Sequence, residues 1–348
     1  MIVLFGATGF TGGLTARALA RGGDPVVLAA RDGARVAALA RELGAEHAVA
    51  DAGRPETLRA LVGPGDVLVS TVGPFARLGR AALDAAIAQG AHYLDSTGEA
   101  AFIRDVFARG RGARGVLLTA FGFDYVPGNL AGALALREAG GGAVRLDVGY
   151  FVSDPSVSGG TRASGAGILL DDAHAWRDGR LVTEPPMART RPFDVRARPR
   201  RALSLGGTEA IALPRLAPGL RHVRTYLGAP AGLRTASAVL RLPGLRTALR
   251  PAARRLVRGS SGGPDAARRA ATRSDVVAEA RDAGGTLLAR VHLAGPSPYD
   301  LTAELLAWGA GRAATGALRG RGALGPAEAT ELSELQAACE RAGLVRQG

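Results

Sequence analysis

Short apolar runs alternate with amphipathic stretches between residues 2 and 120. The apolar runs, each of strand length, cover residues 2–5, 26–30, 48–50, 67–70, 93–94 and 116–120. The amphipathic stretches, each closed by glycine or a polar turn, include residues 12–21, 34–43, 81–89 and 101–109. This alternation predicts a parallel, doubly wound sheet of the Rossmann type whose crossovers are helices.

The pattern changes after Pro127-Gly128, which indicates that a second domain begins near there. Strand-like patterns follow at residues 145–152, 275–280 and 286–293. The last two flank the glycine turn 282–285 and predict a hairpin. Residues 168–176 have the apolar spacing of a helix. We therefore expect an α/β protein, with a Rossmann domain followed by an α+β domain that has a mixed or antiparallel sheet.

Two later segments leave more than one interpretation open. Residues 227–258 are basic and apolar, with a helical pattern at 236–249, and are typical of a surface helix, the cover of a substrate tunnel or a peripheral membrane contact. Residues 326–342 form a helical pattern with acids early and Arg341 late, which suits the helix dipole. We expect this last helix to pack on the first domain.

Composition narrows the class of protein. The 348 residues are 47% hydrophobic, which is enough for two buried cores, and the net charge of +13 raises the question of anionic partners. Every basic side chain is arginine, spread along the whole chain, and aromatic residues make up only 5%. We therefore expect surface charge and no nucleic-acid partner. The lack of lysine excludes Schiff-base chemistry, a Walker-type phosphate site and the Tyr-Lys pair of short-chain dehydrogenases.

The remaining composition favours a cytoplasmic protein. The first apolar strand begins at residue 2, and no apolar run reaches the length of a membrane span. The single cysteine, Cys339, cannot form an intrachain disulfide, and we expect it to be a small buried residue rather than a nucleophile. Homodimer formation stays open.

A glycine-spaced loop follows the first strand directly and precedes the first helix. In that context Gly6 permits a tight turn, Gly9 lets the backbone approach a pyrophosphate, and Gly12 lets the helix pack against the strand. The phosphates of a dinucleotide then lie at a helix N-terminus, where free N–H groups attract anions. The loop therefore predicts a nicotinamide dinucleotide site.

The end of the second strand indicates which dinucleotide. An NAD-specific site has an acidic residue there for the ribose 2′-hydroxyl, whereas this strand ends in Arg31. A guanidinium group matches a 2′-phosphate, so the sequence favours NADP(H). Asp32 follows at once, and we interpret it either as a helix N-cap or as a ribose ligand.

Three further strand ends fall at the same edge of the predicted sheet, the edge at which open α/β sheets bind ligands. They are 70–75, 95–99 and 121–125, and all are rich in residues that also favour turns. The candidate cofactor-binding residues are Gly6, Ala7, Thr8, Gly9, Phe10, Thr11, Gly12, Arg31, Asp51, Thr71, Val72, Gly73, Pro74 and Phe75.

These segments resemble those of the saccharopine dehydrogenase-like oxidoreductases, in particular the branch of trans-acting enoyl reductases. The resemblance covers most of the chain and rests on residues 6–12, 71–75, 93–99, 122–128, 158–161, 298–303 and 322–326. It implies a Rossmann domain at 1–128 that is completed by 315–348, a substrate domain at 129–314, and NADPH as hydride donor. It also implies a small-molecule or acyl substrate.

The family leaves the acceptor open between two reactions. Its nearest branch is linked to reduction of the C=C bond of enoyl groups in lipids or polyketides, and other members act on C–N bonds in amino-acid or amine metabolism. A non-catalytic NADP(H)-binding regulator is a third alternative, which the long second domain and the intact strand-end loops disfavour.

Candidate catalytic residues are the proton donors expected near the nicotinamide ring. With lysine absent, we name Tyr125 first and Asp124 and Asp95 beside it, and Tyr93 and Glu99 come second. Tyr125 also fits a packed aromatic residue, and Asp124 also fits a helix cap. We predict no metal site, because the histidines are scattered without ligand spacing: they are His47, His92, His174, His222 and His292.

Overall fold

The computed structural model describes residues 1–153, 158–159, 172–228 and 262–348. Its first sheet contains β1 (Ile2–Phe5), β2 (Val26–Ala30), β3 (Glu46–Val49), β4 (Val67–Ser70), β5 (His92–Asp95), β6 (Val116–Leu118) and β15 (Gly322–Ala323). All these strands are parallel, in the order β15-β6-β5-β4-β1-β2-β3. The predicted doubly wound sheet is confirmed, with β1 between β4 and β2.

The crossover helices of this sheet are α1 (Phe10–Gly22), α2 (Gly33–Leu43), α3 (Pro55–Arg59), α4 (Phe75–Gln89) and α5 (Ala100–Arg109). The helix predicted at 81–89 begins earlier, at Phe75, because its first N–H groups have a distant partner. The carboxylate of Glu99 accepts hydrogen bonds from the N–H groups of Phe75 and Ala76 at 2.8 and 2.9 Å. A cap supplied by the next loop cannot be predicted from the helix sequence alone.

The second sheet contains β7 (Arg145–Val152), β8 (Ala173–Arg177), β9 (Arg180–Glu184), β10 (Thr190–Val195), β11 (Arg198–Leu205), β12 (His222–Gly228), β13 (Ser274–Arg281), β14 (Leu287–Gly295) and β16 (Val345–Gln347). Its main order is β10-β11-β12-β7-β13-β14-β16, with β8 and β9 beside β12. Strands β7 and β12 are parallel and the other pairs are antiparallel, so the sheet is mixed, as expected. The predicted hairpin is β13–β14.

Six further helices complete the described part of the chain. They are α6 (Val126–Glu138), α7 (Glu209–Leu216), α8 (Ala266–Ala271), α9 (Pro298–Ala314), α10 (Pro326–Ala329) and α11 (Leu332–Arg341). Helix α6 covers β7, β13 and β14, whereas α9 packs on α1, β4 and β5. One buried core therefore runs from Leu4 of β1 through Leu305 of α9 to Val276 of β13 and holds the two sheets together.

The helix predicted at 168–176 is wrong from residue 173 onward, because Ala173–Arg177 is the strand β8. Its pairing with β9 and β12 overrides the local apolar spacing. Residues 168–171, and most of the basic stretch 227–258, lie outside the described residues.

The helix predicted at 326–342 is two helices, α10 and α11. Thr330 separates them in an extended conformation, with φ −136° and ψ 162°. Both helices contact α6, and α11 also contacts α9. Cys339 on α11 is fully buried, as expected, and burial raises the pKa of its thiol to about 12.

The C-terminal residues divide between the two sheets. β15 pairs with β6 of the first sheet, and β16 pairs with β14 of the second. The domain boundaries at 128 and 315 stay a prediction. Within the described residues, no helix is both long and apolar enough to cross a membrane.

Candidate active site

The loops that follow β1 and β4 leave the first sheet at adjacent positions, because β1 lies between β2 and β4. This is the switch point at which doubly wound sheets open a ligand crevice. A cavity of about 560 Å³ lies there, bounded by the loops after β1, β2, β3 and β4 and by Ser158 and Gly262 from later in the chain. The predicted cofactor-binding loops therefore converge on one crevice.

The glycines of the first loop are required by close backbone contacts. Gly6 has φ +93°, a left-handed conformation that favours glycine. A Cβ atom at Gly12 would lie 2.0 Å from the carbonyl oxygen of Gly6, and one at Gly9 would lie 3.2 Å from the same oxygen. The N–H group of Gly9 donates to that oxygen at 2.9 Å, so the loop is tightly closed.

Helix α1 begins immediately after this loop and directs its N-terminus into the crevice. Its N-cap is Gly9, and no described side chain caps the helix there. The first N–H groups of a helix need acceptors, and the helix dipole favours an anion at this end. The crevice and the loop therefore fit a cofactor diphosphate at residues 6–12.

Arg31 and Asp32 at the end of β2 have different partners. Asp32 caps α2, since its carboxylate accepts the N–H group of Arg35 at 3.0 Å, which favours the first of its two interpretations. Arg31 is exposed and lines the crevice. Arg35 lines it as well, and its guanidinium group donates to the carbonyl of Thr8 at 3.3 Å. Arg35 was missed because one helical turn separates it from the strand end.

The other candidate cofactor residues occupy the strand ends on either side. Asp51 lines the crevice while one carboxylate oxygen accepts the N–H group of Gly53 at 2.8 Å. The Thr71 hydroxyl lies 3.2 Å from the carbonyl oxygen of Phe5 and 3.3 Å from that of Gly6, so it ties β4 to the glycine loop. Val72 and Gly73 also line the crevice.

Asp124 lies where the loop after β6 reaches this edge of the sheet. Its side chain is exposed, yet protein atoms surround the carboxyl group, and this desolvation raises its pKa to about 6. A Cβ atom at Gly98 would come within 3.0 Å of its Oδ2 atom, so the carboxyl group lies close over the loop after β5. It is an acid that holds a proton closer to neutral pH than an ordinary aspartate does.

Tyr125 is buried next to it, with 4% of its surface exposed. Its hydroxyl lies 3.5 Å from the carbonyl oxygen of Gly98. Burial, followed by the charges of Asp124 and Glu209, raises its pKa well above the usual value of 10.0. Tyr125 therefore stays protonated, and it does not line the crevice.

A buried group that sequence reasoning missed lies behind Tyr125. We call Tyr125, Tyr150, Glu209 and Thr225 the tyrosine–glutamate cluster. The Tyr150 hydroxyl donates to Glu209 at 2.6 Å, the Thr225 hydroxyl donates to the same carboxylate at 3.1 Å, and the rings of Tyr125 and Tyr150 meet edge to face at 5.7 Å. Burial raises the pKa of Glu209 to about 7.

Glycine leaves room for this cluster in two places. A Cβ atom at Gly128 would lie 2.1 Å from both the Glu209 carboxylate and the Tyr150 hydroxyl, and one at Gly207 would lie 2.3 Å from Glu209. The sequence carries only a weak signal for it: Glu209 is the one charged residue in the stretch 203–213.

The other predicted proton donors are held inside the first sheet. Asp95 is fully buried, and its Oδ1 atom accepts the N–H groups of Thr97 and Ala120, both at 2.9 Å, so it ties together the ends of β5 and β6. Tyr93 is also fully buried, and Glu99 caps α4. Of the described residues, no group of histidine, cysteine and acidic side chains could hold a metal ion.

Comparison with known proteins agrees with this geometry. Residues 2–109 match the model of the saccharopine dehydrogenase NADP binding domain. A putative trans-acting enoyl reductase of Mycobacterium tuberculosis is 40% identical over 204 residues, covering 53% of this chain and 48% of its own length. A trans-acting enoyl reductase of Mycobacterium leprae is 36% identical over 202 residues, with the same coverage. The chain spans about half the length of the curated relatives it matches.

A solved structure shares the whole fold. Saccharopine dehydrogenase (L-Glu forming) from Saccharomyces cerevisiae superposes with a TM-score of 0.61 at 14% identity, over 99% of each chain. The resemblance that the motifs indicated is confirmed, as are the α/β fold and the NADP-binding character of the first domain.

Proposed function

We propose that this chain, which carries the saccharopine dehydrogenase NADP-binding domain in residues 2–109, is an NADPH-dependent reductase of the C=C bond of an enoyl substrate. The observation that supports it most directly is the exposed acid Asp124, with a pKa of about 6, at the same sheet edge as the NADP(H) crevice. The names of the relatives that are 36–40% identical support the enoyl acceptor.

Different residues of the crevice would bind different parts of the cofactor. Residues 6–12 would hold the diphosphate through backbone N–H groups, and Arg31 and Arg35 would hold the 2′-phosphate through their guanidinium groups. Thr71, Val72 and Gly73 would contact the cofactor from the end of β4. NADPH, when bound, supplies the hydride for the acceptor carbon.

Reduction of an enoyl group adds a hydride to one carbon and a proton to the other, so the site needs one acid. Asp124 is the exposed candidate at this sheet edge, and its raised pKa leaves a useful fraction protonated near neutral pH. Tyr125 stays protonated beneath it and positions the loop through its contact with Gly98. Asp95 has no access to the crevice, because it is fully buried.

The acceptor is tested by following NADPH oxidation with purified protein. A short 2-enoyl thioester should be reduced, with one saturated product formed for each NADPH consumed. A preformed cyclic imine is the matched competitor, since it accepts a hydride and a proton in the same way. Turnover of the imine alone would replace the enoyl assignment with C=N reduction.

A third result would remove catalysis from the account. In this result the protein binds NADPH but neither acceptor oxidises it, and the Asp124→Asn variant behaves in the same way. Such a result would favour a regulator that senses NADP(H). The acyl substrate and a homodimer remain part of the proposal. A membrane contact through 227–258 concerns residues of which most lie outside the described part.

A further inference from the structure

The face of the second sheet that points away from α6 carries an unusual row of basic side chains. Arg145 of β7 pairs in register with His222 of β12 on one side and Arg281 of β13 on the other. All three line one cavity of about 580 Å³. Like charges placed side by side on a sheet destabilise it unless an anion compensates them.

The neighbouring row contains acids, but they already have partners. In this row Arg224, Asp147 and Glu279 are aligned across the same three strands. Arg191 of β10 forms ion pairs with both Asp147 and Glu279. Glu184 binds Arg224 through two contacts of 3.1 Å, and Glu279 also binds Arg281 at 3.1 Å. Glu279 therefore compensates Arg281 of the first row, but among the described residues none of these carboxylates binds Arg145.

Among the described residues, two of the guanidinium groups that line this cavity have no acceptor. Among the residues that the structure describes, neither Arg145 nor Arg189 forms a hydrogen bond or ion pair through its side chain, and both are exposed at the cavity. Asp178 is the remaining acid of the lining, and it lies 3.8 Å from His222 and 3.7 Å from Arg177. Six arginines line the cavity: Arg145, Arg177, Arg189, Arg191, Arg224 and Arg281.

We propose that this cavity binds the phosphate group of a small soluble ligand, with Arg145 and Arg189 as its principal contacts. Guanidinium groups present paired N–H donors that match phosphate oxygens. The phosphate would lie over the row of Arg145, His222 and Arg281 and supply the negative charge that Arg145 does not receive from the described carboxylates. The depressed pKa of His222, caused by its burial and next by Arg145, is consistent with a positive field there.

This site is separate from the cofactor crevice. The two cavities share no lining residue, and they lie on different sheets. The ion pairs of Arg191 with Asp147 and Glu279 hold β10 against the sheet and make the site concave. A concave site fits a small ligand better than a membrane surface. The proposal does not depend on the reductase assignment.

Titration with inorganic pyrophosphate tests the site. The protein carries Arg31→Ala and contains saturating NADPH, and ionic strength is held constant with chloride, so that the cofactor crevice does not contribute. We expect one binding event by calorimetry, weakened about tenfold by Arg145→Gln and similarly by Arg189→Gln, since each removes a charge-assisted hydrogen bond. Arg198→Gln, an exposed arginine of β11 outside the cavity, should leave it unchanged.

Two results would overturn the proposal. One is equal affinity in the wild type and both cavity variants, because pyrophosphate would then bind elsewhere. The other is Arg145-dependent co-sedimentation with phosphatidic acid vesicles in protein that does not bind pyrophosphate, because a lipid headgroup would then be the ligand. Unchanged NADPH affinity in Arg145→Gln and Arg189→Gln confirms that each variant is folded.

Discussion

The glycine loop and the tyrosine–glutamate cluster lie at the same end of the first sheet but are constructed differently. The loop is contiguous, residues 6–12, and acts through backbone N–H groups whose positions depend on glycine. The cluster brings together side chains from residues 125, 150, 209 and 225, which meet only after both sheets have formed. Cofactor binding is therefore local in the chain, whereas the environment of the acid Asp124 is a product of the whole fold.

This difference separates what each region controls. The loop determines whether the dinucleotide binds. A substitution there should act through steric overlap with the loop backbone. The cluster sets the electrostatic environment of Asp124, because the charge of Asp124 also raises the pKa of Glu209. A substitution in the cluster should therefore act through charge. Substitutions in the loop should therefore change cofactor binding, and substitutions near Asp124 should change turnover. Four substitutions test this difference, from the largest expected effect to the smallest.

Asp124→Asn removes the acid but retains the shape of the side chain. We expect the rate of NADPH oxidation with the enoyl acceptor to fall by about 100-fold or more, which is the usual contribution of a positioned general acid. NADPH affinity should change little, because Asp124 does not line the phosphate end of the crevice. Steady-state kinetics with a parallel NADPH titration measure both. A full rate in this variant would mean that another group or water supplies the proton.

Gly12→Val tests the steric claim for the loop. Its Cβ atom would lie 2.0 Å from the Gly6 carbonyl oxygen, so the loop must open, at a cost of about 3 kcal/mol, and NADPH binding should be lost. Gly13→Ala is the matched control, because its Cβ atom would meet the Ala7 carbonyl oxygen at 3.7 Å, an ordinary contact. Urea unfolding and NADPH titration are the measurements. Equal effects at both positions would contradict the close-contact argument.

Glu209→Gln tests the electrostatic claim for the cluster. The folded-state pKa of about 7 is above the usual 4.5, so the folded protein binds this proton more tightly than the unfolded chain does. That stabilisation, of about 3 kcal/mol, is fully present below pH 4.5 and is lost as the pH rises through about 7. The variant should therefore show a flatter dependence of unfolding free energy on pH between these values.

The control for this experiment is an exposed glutamate, such as Glu46→Gln on β3. Its urea midpoints should follow the wild-type pH dependence. If Glu209→Gln retained the wild-type slope, the carboxyl group would be ionised throughout, and the cluster would not store a proton.

Arg35→Ala is expected to have the smallest effect. Its guanidinium group already donates to the Thr8 carbonyl, so only part of its hydrogen-bonding capacity is available to the cofactor. NADPH affinity should fall about three- to tenfold and NADH affinity should stay constant, since only NADPH carries the 2′-phosphate. An equal loss of affinity for both nucleotides would show that Arg35 supports the glycine loop and does not bind the 2′-phosphate.

The sequence predicts most of the strands of the first sheet but few of the residues that surround the carboxyl group of Asp124. Strands such as Val67–Ser70 are short, apolar and bounded by turns, and Arg31 lies next to its strand, so both are visible locally. Strand β8 was missed because its pairing partners, not its own spacing, determine its conformation. The role of Glu209 was missed because its partners Tyr150 and Thr225 come from separate strands.

The central claim is that the crevice at the first sheet binds NADP(H) through the glycine loop and Arg31. Fluorescence titration of the wild type and Arg31→Ala with NADPH and NADH tests it directly. We predict that the wild type prefers NADPH and that Arg31→Ala loses about tenfold in NADPH affinity, with NADH affinity unchanged. Binding of neither nucleotide by the wild type, or a preference for NADH, would contradict the account.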